Sequence, residues 1–289
     1  MLENPVDDIA VAAVFSELNI DSIPLGRGGM KNAYRGRRDG VDLVLKIVRE
    51  PVISDDNDGA TSLPDRIRRE IDGMRAVQHP SIVRVIEGPG VSTVDGQQRV
   101  WYIEPFYSGG TLESRLGVPH PQSDVIDLMG HLSAAVGVLS EHGIVHRDIK
   151  PGNIVFDSDG VPVLLDLGIA FFVGLTPLTN QFGASPRTDV YAAPEQFDVR
   201  NRVSLDARTD LFLVGMVAFE MLTGIHPFRP DQPDNYFERL LSGNVDIAAL
   251  NAVEPTAELR AVLQRLLAPN QAHRYRKVKH AIAAIEGCR

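Results

Sequence analysis

The chain has 289 residues, 44% of them apolar, enough for one large domain or two packed parts with a sizeable core. Its 38 acidic residues against 29 basic ones give a formal charge of −9, which argues against counterion-release binding of nucleic acid and against attraction to an anionic membrane. A single cysteine, Cys288, excludes an intrachain disulfide and fits a reducing, cytoplasmic compartment. Between Met1 and Ile20 no basic patch precedes an apolar run, so no secretory signal is expected. Leu211 to Met221 is interrupted by Gly215 and Glu220 and falls short of the roughly 20 residues of a membrane span, so no membrane anchor is expected either.

In chain order, Val11, Val14, Phe15 and Leu18 recur at helical spacing and predict a short amphipathic helix packed on the main domain. From Ile23 to Val48 the glycine-rich turns and the run Val41-Asp42-Leu43-Val44-Leu45-Lys46-Ile47-Val48 read as hairpin strands. Glu50 to Ser62 is acidic and broken by Pro51 and Gly59, which predicts a loop. Ile67, Ile71, Met74 and Val77 mark a helix ending near His79-Pro80. Two further runs, Ile82 to Ile86 and Arg99 to Ile103, look strand-like. From Thr111 onward helices dominate, most clearly Leu128 to Leu139 and Leu211 to Leu222. A small strand-rich part thus precedes a larger helical one, with the change between Pro105 and Gly110.

Gly26-Arg27-Gly28-Gly29-Met30-Lys31 could let backbone N–H groups approach a phosphate, because glycine has no Cβ to obstruct it. Lys31 stands where a dinucleotide-binding turn wants a third glycine, strand sequence comes next instead of a helix, and no Gly-Lys-Ser/Thr occurs there, so neither common nucleotide turn applies. By itself the cluster is equally a plain turn. Lys46, inside an apolar strand, needs an anion if buried, and Glu70 on the following helix is the expected carboxylate. The strongest segment is His146-Arg147-Asp148-Ile149-Lys150-Pro151-Gly152-Asn153, followed by Asp166-Leu167-Gly168. It orders a carboxylate, an ammonium, an amide oxygen and a second carboxylate, the set needed to orient a hydroxyl and hold a divalent ion on phosphates. His142 and His146 beside Glu141 lack the His-Glu-x-x-His order of a zinc protease, and His146 is better read as a core histidine.

Taken together, these segments resemble the eukaryotic-type protein kinase family from about Ile23 to Ile285, in the compact style of its bacterial serine/threonine members. The resemblance implies an α+β, bilobal fold: a helical N-terminal extension over 1–22, a strand-rich N-lobe with one main helix over 23–104, and a helical C-lobe over 105–289. It implies ATP binding by Gly26, Arg27, Gly28, Gly29, Ala33 at the adenine, Lys46, its partner Glu70, Glu104 at the rear of the pocket, and a hinge including Pro105, Phe106 and Tyr107. Asp148 takes the place of the catalytic base and Lys150 of the lysine that neutralises the transferred phosphate. Asn153 and Asp166 match the ligands of Mg2+, with Mn2+ as the alternative ion. Glu195 of Ala193-Pro194-Glu195, Arg274 and Asp210 match scaffold residues.

The Asp148-x-Lys150 spacing and Thr188 match the serine/threonine branch, so the implied substrate is a protein hydroxyl, reached without nucleic acid or membrane. Arg147 before the base implies that a phosphate on the activation segment orders it, with Thr176, Thr179 and Ser185 as candidates and a transient homodimer during autophosphorylation. Lys31 for glycine, Leu167 for phenylalanine and Glu104 at the gate depart from the family pattern. The competing readings are a catalytically silent binding module and a small-molecule phosphotransferase similar to the aminoglycoside enzymes. The latter would not carry Lys150 or Ala193-Pro194-Glu195.

Overall fold

The computed structural model describes residues 6–21, 23–28, 30–52, 72–73, 75–166, 171–172, 191–197, 205–229 and 236–289. It divides into two units, one formed by Met1–Gln78 with Val83–Tyr107 and the other by His79–Ile82 with Ser108–Arg289. The expected α+β class holds, with a sheet in the first unit and mainly helices in the second.

Strands β1 (Gly26–Arg27), β2 (Lys31–Arg38), β3 (Val41–Val48), β4 (Glu87–Val94) and β5 (Gln97–Pro105) form one antiparallel sheet in the order β1-β2-β3-β5-β4. Two Asp-Gly turns set its register. Asp39-Gly40 joins the pair Arg38↔Val41, and Asp95-Gly96 joins Val94↔Gln97, with φ positive at all four turn residues. Such two-residue turns match the twist of the strands they connect, and glycine adopts the second position without a Cβ clash.

Side chains alternate across this sheet. One face carries Tyr34, Leu43, Leu45, Ile47 and Ile103, and helix α1 (Asp8–Val14) with the 3-10 turn Ser16–Leu18 covers it through Val11, Phe15 and Leu18. Asp7 caps α1 by accepting from the Ile9 amide at 2.9 Å. Phe15 meets Trp101 edge-on at 5.4 Å. Burying each such side chain contributes about 1.5–3 kcal/mol. Val14, expected on the packed face, is exposed, because the helix stops there and the tighter 3-10 turn brings Leu18 onto the core instead. Asp8 receives the Tyr34 hydroxyl at 2.7 Å and pairs with Arg27, tying this segment to the glycine cluster.

One strand expectation needs correction, and one strand was not anticipated. Ile82 to Ile86 is not a strand: Ile82 makes one isolated parallel bridge to Leu164, and Ile82 and Val83 are buried where the chain leaves one unit for the other. Burial, not pairing, accounts for their branched side chains. The strand lies next, at β4, across Gly88-Pro89-Gly90, which would otherwise read as a turn. A bulge between Glu87 and Gly90 accommodates the proline, which has no N–H to donate. A Cβ on Gly90 would sit 2.4 Å from the Trp101 ring, so only glycine fits that approach. Of the helix expected after Pro64, residues 72, 73, 75 and 76 are helical, and the Val77 amide closes on the Gly73 carbonyl at 3.2 Å.

The second unit is built around helices α2 (Gln122–Glu141) and α3 (Ala207–Thr223), joined by α4 (Tyr236–Ser242), α5 (Ile247–Ala252), α6 (Ala257–Leu266) and α7 (Val278–Glu286). Helix α3 is apolar on nearly every side, as a helix enclosed by others should be, and starts from an Asp206 cap whose side chain accepts from the Arg208 amide. Leu128, Leu132 and Val136 of α2 share one core with Phe212, Met216 and Phe219 of α3 and Leu263 of α6. Against α2 lie strand β6 (Ile144–Val145) and the hairpin of β7 (Ile154–Phe156) and β8 (Pro162–Leu164); β6 also pairs with β9 (Phe171–Phe172). No helix among the described residues is long and apolar enough to cross a membrane.

Candidate active site

In the first unit, the sheet face opposite α1 gathers several of the predicted residues. Ala33 on β2 lies opposite Lys46 on β3, and Lys46 lies opposite Tyr102 on β5; Val44 and Glu104 form the next row. Directly opposed residues share a face, so Ala33, Lys46, Tyr102 and Glu104 stand together. Lys46 and Glu104 are both buried, with Lys46 Nζ 3.7 Å from Glu104 Oε2. Lys31, where the family has glycine, donates from Nζ to the Tyr102 hydroxyl at 2.9 Å.

Gly26 and Arg27 form the short edge strand β1, and the Gly28 amide donates to the Lys31 carbonyl at 2.8 Å, closing the turn. A Cβ on Gly28 would come within 3.2 Å of that carbonyl. Beyond Glu104, the Phe106 ring is half-buried under the Arg35 guanidinium at 4.4 Å, and Tyr107 is half-buried beside it. Gly29 and Glu70 lie outside the described residues, as do Leu167, Thr176, Thr179, Ser185 and Thr188.

In the second unit the geometry centres on the loop after β6. The Asp210 carboxylate, buried in α3, accepts from the amides of His146 and Arg147, each at 2.8 Å. Burial pushes this carboxyl up to about 7, against the two amide donors that favour its charged form. Arg147 is thereby held at φ +69°, a left-handed conformation that is costly for a long side chain and persists only where the surroundings impose it. Gln196 adds a second hold, donating to the Arg147 carbonyl at 3.0 Å while accepting the Ala193 amide at 2.8 Å. His146 is fully buried, and burial lowers its pKa, so it is neutral. Its Nε2 donates to the Leu165 carbonyl at 3.0 Å and its Nδ1 accepts from the Asp148 amide at 3.3 Å. Both ring nitrogens are used in fixing the loop, which agrees with the core-histidine reading and leaves none for a metal.

The Asp148 carboxylate is presented from this anchored loop. Lys150 Nζ donates to both of its oxygens at 2.9 Å, and Asn153 Nδ2 donates to Oδ2 at 2.7 Å and to the Asp148 carbonyl at 2.8 Å. With its nitrogen committed to Asp148, the Asn153 amide turns its oxygen the other way. The β7–β8 hairpin sets what stands beside it: Ile154 pairs with Leu164, and the Leu165 amide donates to the Asn153 carbonyl at 2.8 Å. Asp166, one residue on, thus stands at the same open end of the hairpin, at φ +53°.

An amide oxygen and a carboxylate are hard donors suited to a small divalent cation. Among the described residues no cluster of three or more His, Cys, Asp or Glu side chains could hold a metal alone. The donor set fits an ion that completes its shell with phosphate oxygens and water, as Mg2+ does.

Glu195 accepts a two-pronged pair from Arg274, at 2.7 and 3.0 Å, and further bonds from Thr209 Oγ1 at 2.8 Å and Gln271 Nε2 at 2.9 Å. Sequence reasoning missed Gln196 and Gln271. The available signal for Gln196 was its place directly after Ala-Pro-Glu, at the third position of a 3-10 turn, where a side-chain amide can bond back to the start.

The model of the protein kinase domain matches residues 21–283. The chain belongs to the protein kinase family. It is 30% identical over 255 residues to the serine/threonine-protein kinase PknB of Mycobacterium leprae, covering 87% of this chain and 40% of that one. It is 28% identical over 247 residues to the DNA damage-responsive serine/threonine-protein kinase RqkA of Deinococcus radiodurans, covering 83% and 35%. To a probable serine/threonine-protein kinase of Streptomyces coelicolor, SCO3848, it is 29% identical over 269 residues, covering 91% and 39%. The chain therefore spans about two fifths or less of the length of these curated relatives. Kinase-family membership implies ATP as substrate and a divalent metal.

Proposed function

We propose that this chain is a serine/threonine protein kinase domain that transfers the γ-phosphoryl group of ATP to a protein hydroxyl. The observation that carries this reading is the fixed triad of Asp148, Lys150 and Asn153 on a loop held by Asp210. Asp148 orients the acceptor hydroxyl and takes its proton. Lys150, already at the carboxylate, offsets the negative charge of the moving phosphoryl group. Lys46 pairs with the nucleotide's phosphates, Gly26 to Gly29 cover them, and Ala33, Phe106 and Tyr107 meet the base. A divalent ion, Mg2+ with Mn2+ as the alternative, would be held by Asn153 and Asp166 and would neutralise phosphate charge. Because the protein supplies mainly position and electrostatics, a loop held by many hydrogen bonds, with the Asp210 carboxylate buried beneath it, suits the chemistry.

The names of the relatives, serine/threonine-protein kinases, favour a protein as acceptor, and Lys150 two residues after Asp148 favours it over a small molecule. Autophosphorylation at Thr176, Thr179 or Ser185, through a transient homodimer in the cytoplasm, belongs to the same proposal. Peptide mapping of active enzyme with no phosphate between Gly168 and Pro194 would remove that part. The reading as a whole is tested by steady-state transfer to a basic protein acceptor. Asp148→Asn is expected to lower kcat by about 10²–10⁴-fold with KM for ATP nearly unchanged. Unchanged kcat would exclude Asp148 as the base.

A further inference from the structure

On the site face of the first sheet, Lys46 already has an anionic neighbour on the adjacent strand. The register places Glu104 one row from Lys46 on the same face, and the side chains meet at 3.7 Å with only 7% and 2% of their surfaces exposed. Opposite charges this close and this dry interact several times more strongly than in water, and neither relaxes easily into solvent. Lys31, whose Nζ donates to Tyr102, brings a second ammonium to the same face, so positive charge there is not limited to Lys46. Any polyanion that approaches must share Lys46 with a carboxylate built into the sheet.

We propose that Glu104 is a specificity-determining residue that competes with nucleotide phosphates for Lys46, so that the chain's nucleotide affinity is tuned by phosphate charge and not by the base. The inference rests on the kinase reading of Lys46. It explains what an acid can do at a position that would otherwise only shape the rear of the adenine pocket. A neutral residue there would remove one anion that competes with the triphosphate for Lys46. A carboxylate holds affinity down most for the ligand with the most phosphates, and so flattens the dependence of affinity on phosphate number.

Calorimetric titration of the full chain with ATP, ADP and adenosine, in Mg2+ buffer, tests this. Glu104→Gln keeps the shape and removes the charge, and should tighten ATP by about tenfold, ADP by less, and adenosine by under about twofold. Glu104→Asp keeps a carboxylate for the fold but draws it back by one methylene, and should shift the ligands in the same order by a smaller factor. In a Lys46→Met background, Glu104→Gln should lose its phosphate-dependent effect, as a double-mutant cycle requires of coupled residues. Weaker ATP binding by Glu104→Gln or Glu104→Asp, or equal shifts for ATP and adenosine, would overturn the inference while leaving the kinase reading standing. A parent chain that binds adenosine and ATP equally, or neither, would instead count against the kinase reading itself.

Discussion

Replacing Arg274 by alanine should be among the most damaging single changes in the second unit. Its guanidinium donates to both oxygens of Glu195 and to the carbonyls of Ala268, Arg208 and Pro269, at 2.7 to 3.1 Å, and lies 4.4 Å from the Phe212 ring. The side chain has no exposed surface, and that of Glu195 is 10% exposed. Truncation therefore strands a buried carboxylate with, among the described residues, Thr209 and Gln271 left to satisfy it, and strips three carbonyls of a donor. Breaking a buried pair in this way costs about 3–5 kcal/mol. With a urea slope of about 2 kcal/mol per molar, the midpoint followed by far-UV circular dichroism should fall by about 2 M. Trp101, the chain's single tryptophan, lies in the other unit, so its fluorescence follows the sheet separately. Arg274→Lys keeps the charge but not the fork and should recover only part of the loss. Glu195→Gln with Arg274→Met should be milder than Arg274→Ala, since no lone charge is left inside. A loss below about 1 kcal/mol for Arg274→Ala, the range of an exposed pair, would show that the Glu195–Arg274 pair is not a buried anchor of this unit.

Other outcomes rest on equally specific contacts. Asp210→Asn leaves an amide nitrogen facing one of the two backbone donors of His146 and Arg147, and should cost about 1–3 kcal/mol in urea unfolding together with a clear drop in kcat; unchanged kcat would mean that Asp210 does not hold the loop. Burial lowers His226 from 6.5 to about 4. Above pH 6.5 it is neutral folded and unfolded, whereas between 6.5 and 4 only the unfolded chain takes up the proton, so stability should fall by an amount on the order of 3 kcal/mol as pH drops through that window. His226→Asn, which can still accept the Phe228 amide, should flatten that slope, and an unchanged slope would assign it to other groups. Gly90→Ala drives a Cβ into Trp101 and should cost about 1–3 kcal/mol with a shift in tryptophan emission; wild-type stability and emission would show that the ring moves aside freely.

How far the sequence could be read depended on how local each interaction is. Asp148, Lys150 and Asn153 lie within six positions, and the contacts among them are short-range, so residue order carried the geometry. Strand β3 was legible because Leu43, Leu45 and Ile47 alternate with Lys46 and Val44. Strand β4 was not, since Gly88-Pro89-Gly90 has the chemistry of a turn and enters the ladder through a bulge, with Gly90 packed against Trp101 on the neighbouring strand. Ile82 and Val83 have strand propensity but satisfy it by burial, a tertiary effect that propensity cannot register. The pairing of Lys46 with Glu104 depends on the β3–β5 register, which no local pattern discloses. Asp210 and Arg274 were placed by family resemblance, because their partners lie far away in sequence.

The most direct test of the central claim is the chemical identity of what becomes labelled. Purified chain is incubated with γ-labelled ATP, Mg2+ and a basic protein acceptor, and the labelled protein is hydrolysed and resolved into its phosphoamino acids. Acid-stable label on serine or threonine that is lost in the Asp148→Asn chain is the expected result. Label released as free phosphate alone, or undiminished label in the Asp148→Asn chain, would contradict it.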